Sequence, residues 1–207
     1  INNKLTSILG YTQLMRMADI TEKQDRYCSV IEQESEYARS IIESLLAFSR
    51  SQENTRLVAG DVRQVIMQAV NMHRHTFTKA KINVSLSIPE TLPALKMNAV
   101  QMQQVLFNLL RNSVDALPIE RGRIRISARV KGAHLTVAIA DNGHGIKPEH
   151  IAHVVEPFFS TRADREHPGL GLSVVYGIVR MHGGELEIKS RPQRGTLVLL
   201  RFPVTKE

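Results

Sequence analysis

Two asparagines, Asn108 and Asn112, stand four residues apart in the apolar run NLLRNSVDAL. Asparagine is a poor mid-helix residue because its amide competes for backbone hydrogen bonds. A spacing of four puts both amides on one helix face. Neutral amide oxygens are hard ligands of the kind Mg²⁺ accepts beside substrate phosphates, although the pair alone could equally cap or bridge neighbouring backbone. A second group is DNGHGI, residues 141–146, directly after the apolar strand sequence LTVAIA. The Asp141 carboxylate is able to accept the exocyclic amine of a purine, with Gly143 and Gly145 letting backbone pass close to the ring. The same residues also suit an ordinary turn. In the third group, HPGLGLSVVYGIV, Gly169 and Gly171 stand where a loop enters an amphipathic helix. Free N–H groups and the positive end of a helix dipole suit phosphate there. No Gly-Lys-Ser/Thr follows, so this is not a Walker loop. Ahead of it, EPFFSTRADREH joins the aromatic pair Phe158 and Phe159 to a charged stretch, the pattern of a mobile lid.

These groups need elements to hold them. The periodicity predicts a helix over 62–77, a strand at INVSLSI, and the helix bearing NLLRNSVDAL. Strands at RIRISARV and HLTVAIA, a helix from near Leu170, and strands at ELEIKS and TLVLLRF follow. RPQRG is the hairpin connection between the last two. Short links between consecutive strands imply antiparallel pairs, hence an α+β layer with helices on one face. Upstream, Ile1, Leu5, Ile8, Leu9, Thr12 and Met15 share one helical stripe. After a break capped by Asp19 or Thr21, the positions Tyr27, Ile31, Glu34, Ala38, Ile41, Leu45 and Phe48 step by fours and threes as a coiled-coil seam. A lone antiparallel hairpin leaves a face uncovered, which predicts a homodimer closed as a four-helix bundle. The boundary between the two parts falls at SQENT, giving units 1–52 and 53–207.

Composition narrows the function classes. Residues 1–52 carry 6 Lys+Arg against 7 Asp+Glu, whereas residues 53–207 carry 21 against 13. Such a basic unit suits a phosphate-bearing ligand. RGRIRISAR alternates Arg with Ile and lacks interleaved aromatics, so it reads as a half-buried strand with a solvated face and not as a nucleic-acid surface. Cys28 is the only cysteine of the chain, which excludes an internal disulfide framework and points to a reducing compartment. No apolar stretch reaches the roughly 18 residues of a membrane span, so no membrane contact is expected in these residues. His73 and His75 diverge on a helix, and His150 and His153 lack a third ligand at metal-site spacing, which disfavours zinc.

In this order, NLLRNSVDAL, DNGHGI, EPFF and HPGLGL resemble the N, G1, F and G2 boxes of the sensor histidine kinase catalytic domain, which belongs with the gyrase-type ATPases. MHGGELEIKS and GTLVLLRFP are similar to that domain's closing elements, and INNKLTSILGYTQL resembles the remainder of a phosphoacceptor H box. The resemblance implies an N-terminal dimerisation hairpin followed by a two-layer α/β sandwich with a mixed, largely antiparallel sheet of the Bergerat type. It implies ATP and Mg²⁺ as cofactors, with Asn112 as principal Mg²⁺ ligand and Asn108 assisting. Asp141 would contact the adenine amine, Gly143, Gly145 and Ile146 would shape that pocket, and Thr196 would support the contact through water. Phe158 would anchor the lid. Thr161, Arg162 and the turn of Gly169, Leu170, Gly171 and Leu172 would face the triphosphate, with Arg111 adding charge.

Where related ATPases carry a water-activating Glu, this chain has Asn108. An amide cannot act as that base, so hydrolysis is disfavoured and the γ-phosphoryl group is kept for a histidine. The implied activity is that of an ATP-dependent protein-histidine kinase, with transfer onward to an Asp of a response regulator. Asn3 would orient water for phosphatase action on that regulator. The expected setting is cytoplasmic, with or without a membrane anchor elsewhere. The rival readings are a hydrolytic ATPase of the same superfamily and a non-catalytic dimeric adaptor. Three departures from the family pattern stand out. The acceptor His is expected upstream of Ile1, Lys4 replaces a usual Pro, and His167-Pro168 replaces the first Gly-x of the G2 box, stiffening the lid hinge.

Overall fold

The computed structural model describes residues 2–18, 20–32, 34–35, 38, 42, 56–118, 120–161 and 169–204. Helix α1 (Asn2–Arg16) is followed by a turn, and the chain is helical again over 22–32, here α2. Thr21 caps α2 in a capping box: its Oγ1 accepts from Gln24 N–H at 3.3 Å while Gln24 Oε1 accepts from Thr21 N–H at 2.8 Å. Across the turn Arg16 bonds Asp25 (2.8 Å) and Glu32 (3.1 Å). Of the predicted α1 stripe, Leu5, Leu9 and Thr12 are buried, whereas Ile8 and Met15 remain exposed. Asp19, Ile41, Leu45, Phe48 and the SQENT boundary lie outside the described residues.

Strands β2 (Asn83–Ser87), β4 (Arg123–Lys131), β5 (His134–Asp141), β6 (Glu185–Arg191) and β7 (Gly195–Pro203) form one sheet in the order β2-β4-β5-β7-β6. Every neighbouring pair is antiparallel except β2 and β4, which are parallel. A parallel pair needs a crossover, here supplied by β3 (Leu95–Met97) and α5 (Ala99–Ala116). β1 (Val58–Gly60) pairs with β3 as a separate two-stranded ribbon. Helices α3 (Val62–Met72), α5 and α7 (Gly171–Met181) cover one face of the sheet, and the one-turn helix α6 (Pro148–Ile151) lies between β5 and α7 in the chain. Their apolar stripes close one core with Ile124, Ile126, Val137, Ile139, Leu200 and Phe202. Along β4 the alternation is as read from sequence: Ile124 and Ile126 are buried, Arg123, Arg125 and Arg129 exposed. Among the described residues this core takes nothing from the helical hairpin.

The helix expected over 62–77 is two helices, α3 and α4 (Arg74–Lys79), broken at His73. The His73 ring turns back to the Ala69 carbonyl (3.0 Å) and packs between Phe77 and Phe107. That packing fixes the bend where sequence alone continues helical. Asp61 and Asn98 cap α3 and α5 through their side chains, whereas α7 starts at Leu170 with no side-chain cap.

Candidate functional site

The C-terminal half of α5, the end of β5, the following loop and the start of α7 meet around one cavity, closed below by the β6–β7 hairpin. The apolar stripe of α5 pins Leu106, Leu109 and Leu110 into the core, which turns Arg111 and Asn112 toward the cavity they line. The amide of Asn108 reaches the other way along α7, its Nδ2 donating to the Gly171 carbonyl at 3.5 Å. Arg111 Nε is buried without a hydrogen-bond partner among the described residues. An orphaned guanidinium N–H costs stability unless something anionic meets it.

Asp141 ends β5, and its carboxylate is held asymmetrically. Oδ1 accepts from the N–H groups of Gly143 (2.9 Å) and Thr196 (3.1 Å), while Oδ2 takes only a long bond from the Ser113 hydroxyl (3.4 Å). Oδ2 is therefore the acceptor with capacity left for a ligand donor. Burial pushes the Asp141 carboxyl above the ordinary aspartate range, against the opposing pull of Gly143, Thr196, Ser113 and His144.

Of the two glycines expected to shape the pocket, Gly145 lines the cavity and Gly143 does not. The space where a Gly143 side chain would stand is taken by the Ala116 carbonyl, 2.5 Å from an added Cβ, so Gly143 packs the loop on the end of α5 and does not line the cavity. Gly145 does line it, at φ +69°, with the Arg191 carbonyl pressed against its open side. Ile146 also lines it, its N–H held by Ser190 Oγ at 2.8 Å.

At the other end, α7 presents first-turn N–H groups with no capping side chain, and Gly171 and Leu172 line the cavity. Leu170 is buried behind them. Gly169, at φ +71°, lies so close to the Phe158–Phe159 backbone that an added Cβ would stand 2.5 Å from the Phe159 carbonyl oxygen. This contact seats Gly169 directly on the Phe158–Phe159 backbone. Phe159 and Thr161 line the cavity; Phe158, also at positive φ, is exposed and does not. Arg162, His167, Pro168 and the side chain of Asn3 lie outside the described residues.

The structure brings Asn112, Arg111, Asp141, Gly145, Ile146, Thr161, Gly169, Gly171, Leu172 and Thr196 around one space. Sequence reading missed Ser113 and Ser190. Ser190 Oγ donates to the Gly195 carbonyl and bonds Thr196 Oγ1, both at 2.9 Å, so it ties the hairpin to the Asp141 loop. Its signal was its register: Ser190 and Thr196 pair across the RPQRG turn. The chemistry available is an acceptor for an amine at Asp141, N–H groups and an amide for anions at the α7 N-terminus, and the Arg111 guanidinium within the same lining.

Two family models match in chain order. His Kinase A (phospho-acceptor) domain covers residues 1–54, and Histidine kinase-, DNA gyrase B-, and HSP90-like ATPase covers residues 97–206. Sporulation kinase D of Bacillus subtilis is 30% identical over 99% of this chain and 40% of its own length. Sensor histidine kinase ZraS of Escherichia coli is 27% identical over 99% of this chain and 43% of its own. The chain thus spans about two fifths of the curated relatives it matches. Two crystal structures share the fold. Full-length ShkA in complex with AMPPNP (TM-score 0.76, 21% identity) covers all of this chain and 44% of that one. The histidine kinase ThkA in complex with response regulator TrrA (TM-score 0.73, 23% identity) covers 99% and 59%. With the phospho-acceptor match preceding the ATPase match, and named sensor kinases aligned along the whole chain, this protein belongs to the sensor histidine kinase family of two-component systems.

Proposed function

We propose that this chain is the cytoplasmic core of a sensor histidine kinase, with units 1–52 and 53–207. The second unit binds Mg-ATP and passes the γ-phosphoryl group to a histidine of the hairpin upstream of Ile1. The bond from the γ-phosphorus to the β,γ-bridging oxygen breaks, one to an imidazole nitrogen forms, and ADP leaves. The phosphoryl group then moves to an Asp of a response regulator, with Asn3 orienting water for its later removal. The hairpin pairs with a second copy.

The observation that carries this reading is the cavity's polarity. Asp141 Oδ2, with acceptor capacity left, stands at one end and the uncapped α7 N-terminus at the other, and Arg111, whose Nε is orphaned, belongs to the same lining. An amine-bearing purine joined to phosphates fits that order. Asn112 and Asn108 would hold Mg²⁺ beside the phosphates, and such an ion neutralises phosphate charge during transfer. Asn108 supplies no base for water, which favours transfer over hydrolysis.

The test is incubation of a chain extended upstream with γ-labelled ATP. Acid-labile, base-stable labelling of the protein is expected. Steady release of free phosphate without labelling would favour the hydrolytic ATPase instead, and no nucleotide binding would favour an adaptor.

A further inference from the structure

His182 is buried at the C-cap of α7, far from the cavity, and its ring uses both nitrogens. Nδ1 meets the Ile178 carbonyl at 2.8 Å, so it carries the proton; Nε2 accepts from the Asn98 backbone N–H at 3.0 Å. Only the neutral ring can serve both partners. Asn98 is in turn the N-cap of α5, with its Oδ1 accepting from Val100 N–H (3.1 Å) and Gln101 N–H (3.2 Å). The end of α7 is thus fastened to the start of α5.

The same two helices meet again at the site. Asn108 Nδ2 reaches the Gly171 carbonyl at 3.5 Å, and a Cβ on Gly171 would stand 3.7 Å from Asn112 Oδ1. From Asn98 to Asn108 is ten residues of α5, and from Gly171 to His182 is eleven of α7. At 1.5 Å per residue these are spans of about 15 and 16 Å. Two antiparallel helices are therefore tied at matched points, and the bond at the site is the longer of the two ties. Sliding one helix on the other would move Asn112 away from the first-turn N–H groups of α7.

We propose that His182 is a positioning residue for the phosphate end of the site: its ring sets the register of α5 against α7, and thereby the placement of Asn112 against the α7 N-terminus. This rests on the reading of the cavity as a Mg-ATP site. Burial holds His182 below the usual histidine value, opposed only by the Ile178 carbonyl, and no charged side chain contributes. A protonated ring would set Nε2–H against the Asn98 N–H, donor against donor, and release the tie.

The full chain is titrated with Mg-ATP and with adenosine by NMR, comparing the parent with His182→Ala and His182→Gln. His182→Ala is expected to weaken Mg-ATP about tenfold, as a small misplacement of binding groups does, and to leave adenosine unchanged. Adenosine reports the Asp141 end alone. His182→Gln, whose amide oxygen can accept from Asn98, should recover most of the loss. Parallel weakening of both ligands, or unchanged Mg-ATP affinity in folded His182→Ala, overturns the proposal while the nucleotide site stands. A parent that binds neither ligand overturns the nucleotide reading and this proposal with it. If His182→Ala does not fold, the Mg-ATP to adenosine affinity ratio is followed from about pH 7 down to about pH 4.5, a window that reaches below the ordinary histidine range because burial lowers His182. The parent ratio should fall more steeply than that of His182→Gln; equal slopes overturn the proposal.

Discussion

Asp141 carries a cost of burial that, on the proposed reading of the cavity, a bound purine amine would offset. Because burial raises its folded-state value above that of the unfolded chain, the folded state holds the proton more tightly. Stability therefore falls as pH rises from the unfolded value through the folded one, and the full penalty is present at neutral pH. Asp141→Asn keeps an oxygen for the N–H groups of Gly143 and Thr196 and sheds the buried charge. Thermal unfolding should place the free variant at or above the parent, while calorimetry shows ATP affinity lowered at least about tenfold, since a donor now faces the purine amine. A variant that melts lower yet binds ATP normally would make Asp141 a structural turn residue. The pH dependence has the same origin. ATP affinity should decline in acid from a higher pH than an ordinary aspartate would give, and Asp141→Asn should lack that limb. Asn112→Ala should remove most Mg-ATP affinity without unfolding the protein, because Asn112 faces the cavity and the core-facing positions of α5 are Leu109 and Leu110. Calorimetry showing unchanged affinity in a folded variant would count against its role.

Two glycines one residue apart at the start of α7 should behave oppositely. Gly169 has φ +71° and the Phe159 carbonyl oxygen 2.5 Å from its missing Cβ; Gly171 has nothing closer than Asn112 Oδ1 at 3.7 Å. Gly169→Ala is expected to cost more than about 1 kcal/mol in chemical unfolding and to weaken ATP as residue 169 is pushed off the Phe158–Phe159 backbone. Gly171→Ala should be neutral to stabilising, by up to about 1 kcal/mol. Equal effects would remove the close contact with Phe158 and Phe159 as the reason for Gly169. The same elements explain what was legible from sequence. Asn108 and Asn112 stood out because amides are out of place in an apolar helix, and the Gly pairs because they interrupt strand and helix patterns. Among the long strands β4 showed its period of two, while β5 and β7 showed as apolar runs. β1 and β3, three residues each, are too short to show any period. The break at His73 comes from ring packing against Phe77 and Phe107, contacts that are long-range in part and leave no local mark. Ser113 matters through its reach from α5 to Asp141, and Ser190 through its register opposite Thr196, and only the folded chain supplies either.

At the scale of the whole chain the two units differ in how they bury their apolar side chains. The sandwich closes its own core from Val62 to Val204. On the hairpin, Tyr11, Leu14, Met15 and Tyr27 are each more than half exposed, and Ile8 and Ile31 are exposed at 43% and 42%. Solubilising so many large apolar side chains on two helices is costly, and covering each one fully is worth about 1.5–3 kcal/mol. A second hairpin presenting the same face would cover them symmetrically, as an isologous contact requires. Sedimentation should find the parent dimeric at concentrations on the order of tens of micromolar, where ordinary dimers are populated. Leu14→Glu with Ile31→Glu should yield monomers, since each dimer would bury four unpaired carboxylates, and burying charges unpaired is strongly unfavourable. Because the sandwich core borrows nothing from the described hairpin residues, the monomeric variant should still bind nucleotide with parental affinity. A parent that sediments as a monomer, or a double variant that stays dimeric, would place the dimer contact elsewhere. Loss of nucleotide binding on monomerisation would mean that the second copy helps to build the site.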